Sequence, residues 1–332
     1  MSSGNAGSMA ASLGIRVAKL LLSLVFAFAA GEMLVRIATS SQDHYVIEMW
    51  RYANLLQRAT PARLPGHEHR PGTAADLQHV HVRINNLGLR GPDVDMGMLK
   101  GKKVIVLLGD SLTFGWGVPE SETLAGQLQE RLGADFAVLN AGIGNMNLEQ
   151  LAARWHDLNA QLSPDLLVVL PTMRATDPQQ EGRASLLVRN SQLAALASSF
   201  ISQVAGGVSG REDLTTYYRR HWTGQEMTAS LDRAFRSIAD DRSKGDYKVL
   251  FAMMPETNDF INYPYDFATE IIQRRTEGYG WNFIDLFPLF KGEPAQKYWV
   301  SSYDIHLNGA AFAKMQKPIS EKILYMLSSD AN

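Results

Sequence analysis

Residues 102–118 read KKVIVLLGDSLTFGWGV, and this stretch decides the fold. Val104 to Leu108 are all Val, Ile or Leu, which is typical of a strand buried on both faces in a parallel sheet. A turn is predicted next, at Gly109-Asp110-Ser111, where open α/β sheets place their reactive groups. Ser111 is therefore a candidate nucleophile, although Asp and Ser are also common turn residues with no chemical role.

Alternating strand and helix patterns continue on the C-terminal side of this stretch. The connections between them are short, which predicts a parallel sheet with right-handed crossovers and an α/β fold class. A long insert, residues 171–224, interrupts the alternation before it resumes. Strands are predicted at 135–140, 165–170, 248–254 and 281–286, and helices at 120–131, 148–162, 228–240 and 267–276.

The composition excludes several function classes. The 332 residues carry 32 basic and 34 acidic side chains, so no global positive field attracts nucleic acid, and we expect no nucleic-acid partner. The chain has no cysteine, which rules out disulfide bonds, thiolate nucleophiles and cysteine-based zinc or iron–sulfur sites.

The N-terminal region contains a hydrophobic segment. Residues 1–13 are small and polar and are predicted to be disordered. Residues 14–39 are largely apolar after Arg16 and Lys19 and reach the length of a membrane span. We predict a transmembrane signal-anchor with a cytoplasmic N-terminus and the main domain outside the cytoplasm. A signal peptide cleaved at Ala27-Phe28-Ala29 and a buried helix of a soluble protein are the alternatives.

Residues 40–100 connect this segment to the α/β domain. We predict a juxtamembrane helix, then an irregular linker at 61–78 rich in Pro, Gly and His, and a half-buried strand at 79–85. Two histidine pairs have a spacing that suits zinc. A solvent-facing position on the predicted strand explains His79 and His81 more simply. His67 and His69 lie in a flexible segment with Glu68 as the one carboxylate between them, so we expect no metal site. The four residues are His67, His69, His79 and His81.

The insert contains an apolar helix candidate at residues 185–204. Packing in the core is the simplest interpretation of this segment. A lid over the reactive site and contact with a membrane surface are the alternatives, and composition alone leaves all three open.

A second chemical motif lies near the C-terminus, at Asp304-Ile305-His306. Serine is a poor nucleophile until a base accepts its proton. His306 is a candidate for that base, and Asp304 could hydrogen-bond one ring nitrogen and stabilise the imidazolium. With this pairing, the sequence predicts that Ser111 is a nucleophile and not only a turn residue.

Several sequence blocks together resemble the SGNH (GDSL) hydrolase family, in its bacterial membrane-anchored branch. The resemblance covers about residues 102–327 and implies a flavodoxin-like three-layer α/β/α domain at 101–329, with an N-terminal hydrophobic helix outside it. It implies Ser111 as nucleophile, His306 as base and Asp304 as the residue that orients the base, with no cofactor. The blocks are Gly109–Leu112, Thr113–Val118, Asn140–Gly142 and Asp304–Asn308.

The resemblance also implies an oxyanion hole, and here the sequence departs from the family pattern. The family uses the backbone N–H of the serine, a Gly N–H and an Asn side chain. Asn145 stands at the position expected for Gly, with Gly144 just before it, and Asn tolerates a left-handed backbone. No Asn follows the predicted strand 165–170, so Arg174 or Thr172 would have to supply the third donor. The candidate donors are Ser111, Asn145, Gly144 and Arg174.

These inferences predict a serine esterase or acyltransferase acting on an O-acylated glycan or a related ester, because exported family members often act on O-acetyl groups of polysaccharides. The N-terminal helix would tether it to the inner membrane by a single pass, with the main domain in the periplasm. The alternative is a catalytically weak or inactive SGNH-like domain that binds a glycan or a membrane-protein partner. The distance from His306 to Ser111 is the observation that tests the triad.

Overall fold

The computed structural model describes residues 4–60, 64–178, 185–208 and 213–328. Its residues cluster into two units. The first comprises Met1–Trp50 and Gly182–Gly210, and the second comprises Arg51–Glu181 and Arg211–Asn332. The predicted insert, 171–224, is therefore divided: its middle belongs with the N-terminal helix, and its ends belong with the α/β domain.

The helices and strands follow one another largely in the predicted alternating order. The helices are α1 (Gly4–Ala38), α2 (Tyr45–Leu55), α3 (Ser111–Phe114), α4 (Leu124–Leu132), α5 (Leu148–Asn159), α6 (Leu186–Asn190), α7 (Gln192–Val208), α8 (Leu214–Thr223), α9 (Gln225–Arg242), α10 (Asp266–Gly278) and α11 (Gly309–Ser328). The strands are β1 (Gln57–Ala59), β2 (His67–His69), β3 (Ala74–Leu77), β4 (Val80–Arg83), β5 (Lys103–Gly109), β6 (Phe136–Asn140), β7 (Leu166–Leu170), β8 (Lys248–Met253), β9 (Asn282–Asp285), β10 (Trp299–Ser301) and β11 (Asp304–Leu307).

The predicted parallel sheet is confirmed. Within the described residues it has five strands in the order β6-β5-β7-β8-β9, and every neighbouring pair is parallel. This is the doubly wound, flavodoxin-like order, in which the chain reverses direction across the sheet beside β5. The carboxyl ends of β5, β6 and β7 lie together, with Leu107 opposite Asn140 and Gly109 opposite Leu170.

The all-apolar sequence of β5 is explained by layers on both faces of the sheet. Val104, Val106 and Leu108 belong to one apolar cluster, which also contains Trp155 of α5. Ile105 and Leu107 belong to the other, which contains Phe312 of α11. Successive side chains of a strand point to opposite faces, so both faces must be apolar when helices cover both. The three-layer α/β/α arrangement follows.

The region before β5 differs from its prediction. The segment 61–78 contributes β2 and β3, which pair with β1 and β4 in two antiparallel hairpins. The signal was weak because strands of three or four residues are too short to show a period. β3 and β4 are joined by Gln78 and His79, both with positive φ (48° and 62°), as a type I′ turn requires.

The first unit contains the hydrophobic N-terminal helix. α1 begins at Gly4, so the described part of the segment predicted to be disordered is helical. Among the described residues, one helical stretch, Leu13–Ala38, is long and apolar enough to cross a membrane, with a mean hydropathy of 2.0. Its length and position fit both a membrane anchor and a signal sequence.

The apolar helix predicted at 185–204 is two helices, α6 and α7, separated at Ser191. The second of these packs against α1 within the first unit. Helix α8 was not predicted, because its sequence LTTYYRRHWT contains few aliphatic residues.

Candidate active site

Ser111 is the first residue of α3 and lies two residues beyond the carboxyl end of β5, which ends at Gly109. The preceding turn requires glycine, since a Cβ on Gly109 would lie 2.0 Å from Thr113 Oγ1. Asp110 caps α3 by accepting a hydrogen bond from the backbone N–H of Leu112, and its other oxygen accepts one from Thr172 Oγ1 at 2.6 Å. Asp110 therefore holds the turn that presents Ser111, which is a structural role.

The structure brings Ser111, His306 and Asp304 together in one line of hydrogen bonds. His306 Nε2 lies 2.9 Å from Ser111 Oγ, and His306 Nδ1 lies 2.6 Å from Asp304 Oδ1. A carboxylate accepts hydrogen bonds, so Nδ1 carries the proton and the lone pair of Nε2 faces the serine hydroxyl. The arrangement is that of a nucleophile, a general base and the group that orients the base.

Asp304 is buried, and its second oxygen has two further donors. Trp116 Nε1 and Gln78 Nε2 donate to Asp304 Oδ2 at 2.8 and 2.6 Å. Burial alone would raise the pKa of Asp304, but the hydrogen bonds from His306 and Gln78 and the charge of His306 hold that pKa below its ordinary value of 3.8. Asp304 therefore stays ionised beside the imidazole.

Sequence reasoning missed both of these donors. Trp116 lies within the quoted stretch, and Gly115 and Gly117 on either side of it have positive φ, so the Gly-Trp-Gly pattern was a usable signal. Gln78 lies in the β3–β4 turn, and no local pattern in the sequence links it to Asp304.

The second block of the family pattern, residues 140–147 at and after the end of β6, runs beside the end of β5. Ala141 and Ile143 donate backbone hydrogen bonds to Leu107 and Gly109, at 2.8 and 3.0 Å. A Cβ on Gly142 would lie 2.2 Å from the backbone nitrogen of Phe114, so glycine is needed for this close approach to α3. The loop is thereby held against the helix that carries the candidate nucleophile.

Asn145 and Gly144, the two candidate oxyanion donors in this loop, differ in whether their backbone N–H already has a described partner. Asn145 has φ of 64°, the left-handed conformation that its amide side chain tolerates. The backbone N–H of Gly144 donates to Tyr52 Oη at 3.1 Å, so that group is already used. Asn145 is therefore the better candidate of the two.

The third block of the family pattern, residues 171–177 after β7, offers less than that pattern implies. Thr172 Oγ1 is bound to Asp110, and Arg174 Nε lies 3.1 Å from Asp177 Oδ2. Between them, Met173 is buried and has no hydrogen-bond donor on its side chain. No Asn side chain stands among Thr172, Met173 and Arg174, and Arg174, whose guanidinium has five N–H donors, stays the candidate third donor of this block.

A series of hydrogen bonds through His69 and Tyr52 holds the loop that contains Gly144. His69 Nδ1 lies 3.2 Å from the carbonyl oxygen of Gly88, which can only accept, so Nδ1 carries the ring proton and donates it in this hydrogen bond. His69 Nε2 is then an acceptor, and it accepts a hydrogen bond from the Tyr52 hydroxyl group at 2.7 Å. Tyr52 Oη in turn accepts from Gly144. Burial lowers the pKa of His69 well below 6.5, with the charge of Arg154 adding to the effect. These hydrogen bonds require a neutral His69, because only the neutral ring has one nitrogen that donates and one that accepts.

His67 holds the other side of the same loop. Its Nε2 donates to the carbonyl oxygen of Gly144 at 2.9 Å. That carbonyl belongs to the peptide group whose N–H is that of Asn145. Burial lowers the pKa of His67 as well.

Two buried arginines bind backbone carbonyls around the site. Arg90 donates to Phe114 O and Gly115 O at 2.8 and 2.5 Å and also to Val118 O. Arg154 donates to Gly88 O at 2.8 Å and to Ala141 O. Burial lowers the pKa of each guanidinium to about 10, so both are charged at neutral pH. Their positive charge favours an anion developing nearby.

The histidine pairs considered for zinc have other contacts. His67 and His69 bind the loop and Tyr52 as described, and His81 Nδ1 lies 2.8 Å from Asp76 Oδ1. Among the residues that the structure describes, no group of three or more His, Cys, Asp or Glu side chains is arranged to hold a metal ion.

Several solved structures of low sequence identity are similar to this chain. The psychrotrophic esterase EstA from Pseudoalteromonas sp. is 13% identical, with 68% of this chain and 100% of that chain covered and a TM-score of 0.44. A lipase/acylhydrolase from Enterococcus faecalis is 15% identical, with 67% and 95% covered and a TM-score of 0.43. A catalytic mutant of an acetylxylan esterase from Geobacillus stearothermophilus is 15% identical, with 67% and 94% covered and a TM-score of 0.43.

The sequence comparisons give a more specific result. No curated protein matches the chain significantly. Residues 107–314 match the GDSL-like Lipase/Acylhydrolase family, and this segment contains Ser111, the second block, Asp304 and His306. It makes up more than half of the 332 residues. The chain therefore belongs to the GDSL-like lipase/acylhydrolase family.

Proposed function

We propose that this protein is a serine-dependent ester hydrolase or acyltransferase in which Ser111 is the nucleophile, His306 the general base and Asp304 the residue that orients it. One observation carries the proposal: Ser111 Oγ and Asp304 Oδ1 contact opposite nitrogens of the same imidazole, at 2.9 and 2.6 Å. Family membership supports ester chemistry independently of that geometry.

The first half of the reaction forms an acyl-enzyme. Ser111 Oγ attacks the ester carbonyl carbon while His306 Nε2 takes the hydroxyl proton. The C–O bond to the alcohol then breaks, and the imidazolium gives its proton to the departing alcohol oxygen. Asp304 stabilises the imidazolium, and its depressed pKa keeps it ionised for that role.

The negative charge on the carbonyl oxygen needs preorganised donors. The backbone N–H groups of Ser111 and Asn145 are our candidates. His67 fixes the peptide group that carries the second of these, through its hydrogen bond to Gly144 O. With no Asn in the third block, we expect catalysis weaker than a three-donor site provides, since one donor contributes on the order of a hundredfold or more in rate.

The second half of the reaction regenerates the serine. His306 removes a proton from an incoming hydroxyl group, whose oxygen attacks the acyl carbon. The C–O bond to Ser111 then breaks, and the imidazolium of His306 returns the proton to Ser111 Oγ. Water as the attacking group gives hydrolysis, and a sugar hydroxyl gives acyl transfer. The same residues serve both outcomes.

We propose an O-acylated glycan, met outside the cytoplasm, as the substrate. Tyr303 is 83% exposed and immediately precedes Asp304, which places an aromatic ring near the site, and such rings combine apolar contact area with a polar hydroxyl. Arg16 and Lys19 before the apolar part of α1 favour a cytoplasmic N-terminus, with the enzyme on the opposite side of the inner membrane.

Activity of the full-length protein in detergent on p-nitrophenyl acetate tests the proposal. We expect Ser111→Ala to lower kcat/KM by about a thousandfold or more. A fluorophosphonate probe should label the unaltered protein, with the adduct on Ser111 by mass spectrometry. The matched control is Ser121→Ala, an exposed serine of the same unit, which should keep full activity and labelling. Equal turnover by the Ser111→Ala protein would favour the alternative function, a catalytically inactive domain that binds a glycan or a membrane protein.

A further inference from the structure

The carboxylate of Glu32, a residue of α1, caps the N-terminus of α7. Glu32 accepts hydrogen bonds from Ser191 Oγ at 2.7 Å and from the backbone N–H groups of Gln192 and Leu193 at 3.1 and 3.0 Å. The first N–H groups of a helix have no partner within the helix, and a carboxylate satisfies them and favours the positive end of the helix dipole. Arg36 pairs with the same carboxylate at 2.7 Å. The start of α7 is thereby joined to α1.

Close packing accompanies this polar junction. A Cβ on Gly31 would lie 3.1 Å from Leu193 Cδ2, so the glycine allows the two helices to approach. Thr39, the residue after the last residue of α1, has its Oγ1 3.0 Å from Oε1 of Gln192 in α7. These contacts are specific in geometry and polarity, which distinguishes them from nonspecific apolar association.

Beyond the junction, α7 is uncharged, Arg189 in the last turn of α6 is the one charged residue of these two helices, and several of their apolar side chains are exposed. Residues 190–210 contain no Asp, Glu, Lys or Arg. Phe200 and Ile201 of α7 are 67% and 65% exposed, and Leu186 and Leu187 of α6 are also exposed. Exposed apolar surface of this kind marks an interaction site.

The same unit contains α1, whose apolar stretch Leu13–Ala38 is mostly exposed and has no fully buried residue. The apolar residues of α6 and α7 therefore continue an apolar surface already present on α1. A helix of 17 residues, such as α7, is about 26 Å long and so slightly shorter than the hydrocarbon thickness of roughly 30 Å.

We propose that α6 and α7 are a second membrane-embedded segment, which enters the lipid bilayer beside α1 without crossing it. The inference rests on the membrane anchor in the proposed function and goes beyond it, because the bilayer then contacts the interior of the family domain's sequence as well as its N-terminus. The polar junction at Glu32 and Arg36 lies at the membrane surface, where both charges remain hydrated.

The proposal also implies that α1 is retained in the mature protein. Cleavage after Ala29 would leave Glu32 close to a free chain end and remove most of the apolar partner surface. The carboxylate that α7 needs at its start would then lose its helical support.

The chain has no native cysteine, so single cysteines can report on the full-length protein directly. Phe200→Cys, Phe26→Cys and Lys100→Cys would each be reconstituted into phosphatidylethanolamine–phosphatidylglycerol vesicles and labelled with a membrane-impermeant maleimide or with the fluorophore NBD. We expect Phe200→Cys to react about tenfold more slowly than Lys100→Cys, an exposed position on the other unit. NBD at position 200 should be quenched by doxyl-labelled lipids, as NBD at position 26 should be.

Three results would overturn the proposal. Labelling of Phe200→Cys at the rate of Lys100→Cys, without lipid quenching but with quenching at position 26, would place α7 in water while α1 remains an anchor. Slow labelling without quenching would mean that a protein covers α7. Lack of quenching at position 26 would remove the anchor itself. None of these readouts depends on esterase activity.

Discussion

His67 Nε2 donates a hydrogen bond to the carbonyl oxygen of Gly144 at 2.9 Å, across 77 positions of sequence. The donor lies in β2, ahead of the segment that matches the family, and the acceptor lies in the loop that carries Asn145. Tyr52 binds the N–H of the same glycine. The region before the family segment thus supports the loop proposed to bind the oxyanion.

His67→Ala should lower kcat on p-nitrophenyl acetate by about tenfold with little change in KM. Without this hydrogen bond the Gly144–Asn145 peptide group can rotate, and a misaimed donor loses part of the hundredfold or more that an oxyanion donor contributes. His81→Ala, on the exposed face of β4, is the control and should leave kcat unchanged. An unchanged kcat in a folded His67→Ala protein would remove this role.

Asp304→Asn should lower kcat by about a thousandfold to ten-thousandfold while the fold is retained. The amide can donate to His306 Nδ1, which moves the ring proton to Nε2, where it no longer accepts the serine proton. Asp135→Asn, an exposed carboxylate in the same unit, controls for the loss of charge. If the Asp304→Asn protein kept activity within tenfold of the original, Asp304 would not be the orienting residue.

Tyr303→Ala should raise KM for an acetylated xylo-oligosaccharide about fivefold and leave p-nitrophenyl acetate kinetics nearly unchanged. The exposed ring can pack against a sugar but has nothing to hold on a small ester, and such contacts contribute about 1 kcal/mol. Tyr325→Ala, on the exposed side of α11, serves as the comparison and should change neither KM. Equal effects of Tyr303→Ala on both substrates would argue against glycan contact there.

The free energy of unfolding of the second unit, which contains His69, should decrease as the pH falls below about 6.5. The pKa of buried His69 is well below 6.5, so the unfolded chain takes up a proton in this range and the folded chain does not. Stability therefore falls as pH falls, by up to about 1.4 kcal/mol per pH unit for this histidine.

Urea unfolding of the full-length protein in detergent between pH 5 and 8, followed by tryptophan fluorescence, measures this slope. His69→Gln removes the titrating group while the other ionisable groups stay common to both proteins. We expect the slope to decrease by roughly 1 kcal/mol per pH unit in that variant. Parallel pH profiles for the two proteins would show that His69 titrates normally in the folded state.

Only part of the site can be predicted from local sequence. The run Val104–Leu108 predicted its strand correctly, because burial on both faces leaves every residue apolar. The Asp-x-His pattern at 304–306 indicated its own partners, since His306 bonds a carboxylate two residues away. Gln78 and Tyr52 gave no such signal, because their partners lie far away in sequence and are met only after the hairpins and the sheet have assembled.

The sequence by itself determined the α/β sheet, the identity of the candidate nucleophile and the presence of an apolar N-terminal helix, because hydrophobic period and turn chemistry depend on near neighbours. Tertiary structure decided which groups surround Asp304, that the Gly144 N–H donates to Tyr52, and that the Glu32 carboxylate caps the N-terminus of α7. Each of these depends on the meeting of residues whose separation in the chain leaves no trace in local composition. Packing brings those residues together, and packing is a property of the assembled fold.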